Sequence, residues 1–142
     1  MTRSVSNMGQ SLNVLLVEDC EDDLLFFRLG IGRTREVALT HVLTAQEAID
    51  FLERGPLPDL IVMDLMLPGM SLDDFLRWFR SNPRVQSIPI VIYTGAPNVS
   101  ENLTSLVSKT FFKSGDLTNT RSTVQEMLDM ARPHRGGLPS SN

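Results

Sequence analysis

The sequence predicts an α/β domain built on a doubly wound parallel sheet of five strands. Two observations carry that prediction. Short runs rich in apolar and β-branched residues recur at 12–17, 36–43, 60–63, 88–94 and 110–112. Most lack polar alternation, as expected of strands covered on both faces. Between them lie segments with apolar residues at helical spacing, joined by short connections. Strict alternation of strand and helix implies parallel strands with helices on both faces.

The elements follow in order. "LNVLLV" (12–17) is the first strand, and "EDCEDD" (18–23) stops it. "LLFFRLGIG" (24–32) has acids ahead and glycines behind, which suit a helix start and a helix end. "EVALTHVL" (36–43) is the second strand. In "TAQEAIDFLERG" (44–55), Thr44 and Glu47 match a capping box, and Ala45, Ala48, Ile49 and Leu52 share one face. Gly55 and Pro56 end that helix. "LIVM" (60–63) is the third strand. "SLDDFLRWFRSNP" (71–83) repeats the helical pattern, with Ser71 and Asp74 as the cap and Leu72, Phe75, Leu76 and Phe79 as the stripe. "IPIVIYT" (88–94) is the fourth strand, "SENLTSLVSK" (100–109) a short helix and "TFF" (110–112) the fifth strand. Asp116 caps a last helix whose buried side is Leu117, Val124, Leu128 and Ala131. Residues 1–11 read as a loose polar segment and 132–142 as a disordered tail, which leaves 12–131 as one domain.

Composition agrees with a single soluble core: 142 residues, 42% hydrophobic and 21% charged. A net charge of −4 gives no general electrostatic case for nucleic acid. One cysteine, Cys20, excludes an internal disulfide framework and fits a reducing compartment. There is no signal-peptide pattern and no apolar run near the ~20 residues of a membrane helix. The expectation is a cytoplasmic protein that meets neither nucleic acid nor membrane.

In open parallel sheets, sites form at the carboxyl ends of the strands. Glu18 and Asp19 follow the first strand, Asp64 the third, Thr94 closes the fourth and Lys113 follows the fifth. Clustered carboxylates repel and raise one another's pKa, and a divalent cation relieves this. Oxygen-only ligands suit Mg²⁺. Thr94 and Lys113 are suited to holding a phosphoryl group. The acids at 21–23 read as solubilising first-turn residues, and Cys20 and His41 as structural.

Four stretches, "LLVED", "LIVMDLMLPGM", "IPIVIYTG" and "FFK", stand in an order and spacing that resembles the receiver domains of two-component response regulators across 12–131. The flanking "VEDCEDD" and "SNPRVQSIPIV" look most like small stand-alone receivers that pair with sensor kinases, phytochrome-type ones included. The resemblance implies a flavodoxin-like fold with strand order 2-1-3-4-5. It implies that Asp64 is the phospho-acceptor, taking a phosphoryl group from a kinase histidine. Asp19 and Asp64 would bind Mg²⁺ directly and Glu18 through water, with the backbone carbonyl of Met66 as another ligand. Thr94 would bond a phosphoryl oxygen and Lys113 would pair with the phosphate. The implied partners are a sensor histidine kinase or a histidine phosphotransfer protein, with the chain itself a monomer or weak homodimer. Output would run through protein contacts or phosphorelay, without enzymatic turnover beyond self-phosphorylation and autodephosphorylation on Asp64.

Two other readings stand beside it. One is a receiver-like adaptor that binds partners independently of phosphate. The other is an enzyme, a flavin protein or a phosphatase. Five acids within 18–23 would repel a flavin phosphate, and Met66 stands where an Asp-nucleophile phosphatase carries its second acid. Departures from the family pattern fall on the output side. Thr110 occupies the usual aromatic position, Ser114 replaces the proline after the lysine, Leu72 replaces a small glycine, and the Thr94–Lys113 stretch is short. A shortened or remodelled fourth helix is expected, with ordinary phosphorylation chemistry and unusual readout.

Overall fold

The computed structural model describes residues 11–33 and 35–133. The expectations for the N-terminal segment before residue 11 and for the tail after 133 lie outside the described residues. In chain order the elements are β1 (Leu12–Val17), α1 (Glu21–Ile31), β2 (Val37–Val42), α2 (Ala45–Arg54), β3 (Leu60–Met63), α3 (Leu72–Arg80), β4 (Ile90–Thr94), α4 (Glu101–Thr104), β5 (Lys109–Phe112) and α5 (Leu117–Asp129). The strands form one parallel sheet in the order β2-β1-β3-β4-β5.

Successive side chains of a strand point to opposite faces. That geometry splits the interior in two. Leu15, Val17, Ile61, Met63, Ile90 and Ile92 pack beneath α2 and α3, against Leu52, Phe75, Leu76 and Phe79. Their sequence neighbours Val14, Leu16, Leu60, Val62, Val91 and Tyr93 pack beneath α1 and α5, against Phe27, Val124, Met127 and Leu128. β3 has all four residues buried, which is why it reads as an unbroken apolar run.

The caps expected at Thr44, Ser71 and Asp116 form: Thr44 Oγ1 accepts from the Glu47 N–H, Ser71 Oγ from the Asp74 N–H, and Asp116 Oδ1 from the Thr118 N–H. Glu47 reaches back to the Leu43 N–H, whereas Asp74 pairs with Arg77 at 3.1 Å. An aspartate is one methylene shorter than the glutamate of a full capping box.

Two boundaries and one buried face differ from expectation. α1 begins at Glu21, so Glu21, Asp22 and Asp23 form its first turn, where carboxylates complement the positive end of the helix. α4 is a single turn of four residues, in line with the shortened Thr94–Lys113 stretch. In α5 the buried face is Thr120, Val124, Met127 and Leu128. Leu117 is 38% exposed, because it opens the helix at the sheet's carboxyl edge, outside the packed interior.

α1 and α5 meet at Gly30. A Cβ there would lie 2.7 Å from Val124 Cγ2, closer than side chains tolerate, so only glycine admits this approach. Leu72 is buried as the first residue of α3, and no cis peptide occurs among the described residues, Lys113–Ser114 included. No described helix is long and apolar enough to cross a membrane.

Candidate functional site

The carboxyl edge of the sheet is built by the ladder itself. The Glu18 N–H donates to the Val42 carbonyl at 3.0 Å, the Asp64 N–H to the Val17 carbonyl at 3.2 Å, and the Lys113 N–H to the Thr94 carbonyl at 2.8 Å. Each residue therefore continues its strand by one further bond before the chain turns away. Their side chains converge as a result.

Lys113 is the hub. Its Nζ lies 2.8 Å from Glu18 Oε1, 2.7 Å from Asp23 Oδ2 and 3.0 Å from Asp64 Oδ2. An ammonium has three donors, and all three are met by carboxylates. The second oxygens are held by backbone: Glu18 Oε2 accepts from the Cys20 N–H at 3.1 Å, and Asp64 Oδ1 from the Met66 N–H at 3.2 Å. Below the ammonium lies the ring of Tyr93, its centroid 5.6 Å away. That ring is buried, tilted against Phe27 with centroids 6.3 Å apart.

Burial decides the electrostatics. Glu18 is 2% exposed and Asp64 8%. Burial pushes the Glu18 carboxyl up; the Lys113 hydrogen bond and charge pull it back, while the Asp64 charge adds to the rise, and the net is upward. Burial alone would lower the Lys113 ammonium. Its hydrogen bonds to Asp23, Glu18 and Asp64 outweigh that and hold it above the usual lysine range. Burial likewise raises the Tyr93 phenol.

Glu18, Asp23 and Asp64 offer oxygens that all lie within 4.8 Å of one another. Three carboxylates against one ammonium leave two formal negative charges. An all-oxygen donor set with that residual charge suits a hard divalent cation such as Mg²⁺. On this test the site fits the metal.

The residues singled out from the sequence are placed as follows. Glu18, Asp64 and Lys113 come together in the cluster. Thr94 is fully buried at the end of β4 on the same edge, its Oγ1 accepting from the Ala96 N–H at 3.2 Å. Asp19 is exposed and is not among the three clustered acids. Met66 follows Asp64 in the turn, its side chain exposed. Reading the sequence missed Asp23 and Tyr93. Asp23 belongs to an acidic run that resembles ordinary helix entry, and only the helix start at Glu21 fixes which acid of the run turns inward. Tyr93 looks like any aromatic β-former.

No protein-family model matches the chain. Among curated proteins it is 31% identical over 124 residues to the phosphate regulon transcriptional regulatory protein PhoB of Rhizobium meliloti, covering 84% of this chain and 53% of that protein. It is 32% identical over 82 residues to the polar-differentiation response regulator DivK of Brucella ovis, covering 58% of this chain and 65% of that one. The chain thus spans less than two thirds of these curated relatives. Among solved structures, the Mn²⁺-bound response regulator Rcp1 is 28% identical, with a TM-score of 0.69 over 81% of this chain and 90% of that one. The phosphorylated cyanobacterial phytochrome response regulator RcpA has a TM-score of 0.72 over 94% of this chain and 98% of its own; at 22% identity it speaks for the fold alone.

Proposed function

This chain belongs to the receiver domains of response regulators, and from that premise we propose that Asp64 accepts a phosphoryl group from the phosphohistidine of a sensor kinase or phosphotransfer protein. The observation that carries the reading is the largely buried cluster in which the Asp64 carboxylate, 3.0 Å from Lys113 Nζ, stands with Glu18 and the partly exposed Asp23.

In the transfer, a carboxylate oxygen of Asp64 forms the new P–O bond as the P–N bond of the donor breaks, giving an acyl phosphate. The demand on the protein is positioning and charge neutralisation. Lys113 exchanges part of its carboxylate contact for the phosphoryl oxygens, since a flexible ammonium can follow the charge. Thr94 donates its hydroxyl proton to a phosphoryl oxygen. Glu18, Asp19, Asp64 and the Met66 carbonyl would hold Mg²⁺, with Asp23 as the rival to Asp19, because Asp23 lies within 4.8 Å of the other two acids. When bound, the ion supplies positive charge to the transferring group. The chain then signals through protein contacts or passes the group onward, in the cytoplasm.

The test is Mg²⁺-dependent labelling by acetyl phosphate, with Asp64→Asn as the control. Label on the wild type alone is expected; an unlabelled wild type refutes the reading. Asp19→Asn and Asp23→Asn, compared by the Mg²⁺ concentration at half-maximal labelling, assign the third carboxylate.

One observation favours the adaptor reading for the output step. Thr110 occupies the family's usual aromatic position, and its Oγ1 is buried with no hydrogen-bond partner among the described residues. If a beryllofluoride-loaded protein binds its partners no differently from the unloaded one, output is independent of phosphorylation.

A further inference from the structure

A second site lies away from the acidic edge. A cleft of about 720 Å³ opens between the C-terminal part of α1 and the flank of α5, lined by Arg28, Leu29, Ile31, Arg33, Arg121 and Gln125. α1 starts beside the acidic cluster and runs 11 residues, so its far end is about 16 Å along the helix axis from that cluster.

The charge of the cleft runs against that of the chain. The protein carries a net −4, yet three arginines meet here. None of the three pairs with a carboxylate among the described residues, although other surface cations do: Arg35 with Asp129, Lys109 with Glu126 and, on the opposite face of the sheet, Arg77 with Asp74. Arg28 sits in the last turn of α1, where a cation complements the helix dipole. Arg33 lies past the helix and Arg121 within α5, and that explanation does not extend to them.

The cleft wall is also prepared for an anion. The C-terminal carbonyls of a helix repel negative charge. Here Gln125 Nε2 donates to the Gly30 carbonyl at 3.1 Å and to the Ile31 carbonyl at 2.9 Å, which occupies those acceptors. Leu29, 41% exposed, and the half-buried Ile31 add an apolar surface beside the guanidiniums. Cationic forks next to an apolar floor, in a volume typical of small-molecule sites, match a ligand with a flat ring and clustered phosphates.

We propose that this cleft binds a nucleotide bearing two or more phosphates, held by Arg28, Arg33 and Arg121, with its base on Leu29 and Ile31. The site is independent of Asp64 chemistry.

The test uses the whole chain in EDTA, with binding of ATP, ADP, pyrophosphate and poly-glutamate followed by equilibrium dialysis and melting temperature. ATP and ADP are expected to bind and raise the melting temperature, and pyrophosphate to bind more weakly because it lacks the ring. Arg33→Gln and Arg121→Gln, both at exposed positions, should each weaken ATP by about tenfold, the order of one charge-assisted hydrogen bond, while leaving the unliganded melt unchanged. Asp64→Asn should bind ATP like the wild type. Absent ATP binding, equal affinity for ATP and pyrophosphate, tighter binding of poly-glutamate, or ATP affinity indifferent to both arginine substitutions would each overturn the proposal.

Discussion

Replacing Lys113 by methionine keeps much of the side chain's bulk and removes its charge. In the folded variant the carboxylates of Glu18, Asp23 and Asp64 would face one another within 4.8 Å without a counter-ion. At an effective dielectric constant of 20, one pair at that separation repels by about 3.5 kcal/mol. The folded protein has a cheaper route, which is to protonate one acid. Glu18 is the natural choice, since burial already raises it from 4.5. At pH 7 that protonation costs about 3.4 kcal/mol, from 2.5 pH units at 1.36 kcal/mol each. It removes two of the three repulsions, and Asp23, whose side chain is 34% exposed, can relax the last into water. The variant should therefore lose about 3–4 kcal/mol at pH 7. The sign with pH follows from linkage: a carboxyl raised in the folded state binds more protons there than when unfolded, so stability falls as pH rises above 4.5. At pH 5 the protonation cost shrinks to about 0.7 kcal/mol, and most of the loss should disappear. Urea unfolding of wild type and variant in EDTA at the two pH values measures this. An equal loss at pH 5 and pH 7 would show that Lys113 acts through packing and that the charge argument is wrong.

Other substitutions probe separate parts of the fold. Gly30→Ala gains about 1 kcal/mol of helix propensity but drives a methyl to 2.7 Å from Val124 Cγ2. A net loss of about 1–2 kcal/mol is expected in thermal melts, with partial recovery in Gly30→Ala/Val124→Ala; an unchanged melt would mean that α1 and α5 are not so closely apposed. Thr110→Val replaces a buried hydroxyl that has no partner among the described residues with a methyl and should stabilise by about 1 kcal/mol, whereas a clear loss would reveal a partner for Oγ1. Tyr93 is the only tyrosine, so phenolate absorbance reports it alone. Its titration midpoint should lie above 10.0, with stability falling as pH rises past that value, because the folded state retains the proton; a midpoint at or below 10.0 would contradict its burial.

The fold was legible because its signals are local. Caps at Thr44, Ser71 and Asp116, and apolar stripes such as Leu72, Phe75, Leu76 and Phe79, are determined within a few residues and survive packing. Asp64 and Lys113 were legible for a related reason: each follows an apolar strand, where a charged group is conspicuous. The rest depends on rotation about a helix axis or on contacts remote in sequence. Six consecutive positions hold five acids, and nothing local distinguishes Asp23, turned inward, from the exposed Asp19. The α5 face was misread by part of a turn, with Leu117 assigned to the interior in place of Met127. That error arises because Asp116 caps the helix outside the packed layer, so the first turn carries no burial signal.

The lysine that balances the cluster comes 95 positions after Glu18 and 49 after Asp64. A ribosome therefore delivers all three acids long before their counter-ion. Until β5 takes its place at the sheet edge, the growing chain carries an uncompensated anionic knot, and closing such distant contacts is slow compared with forming helices. Charge balance at this edge is thus tied to completion of the domain: a partly made or locally frayed molecule that has lost its last strand has lost the counter-ion of its three acids before it is fully unfolded.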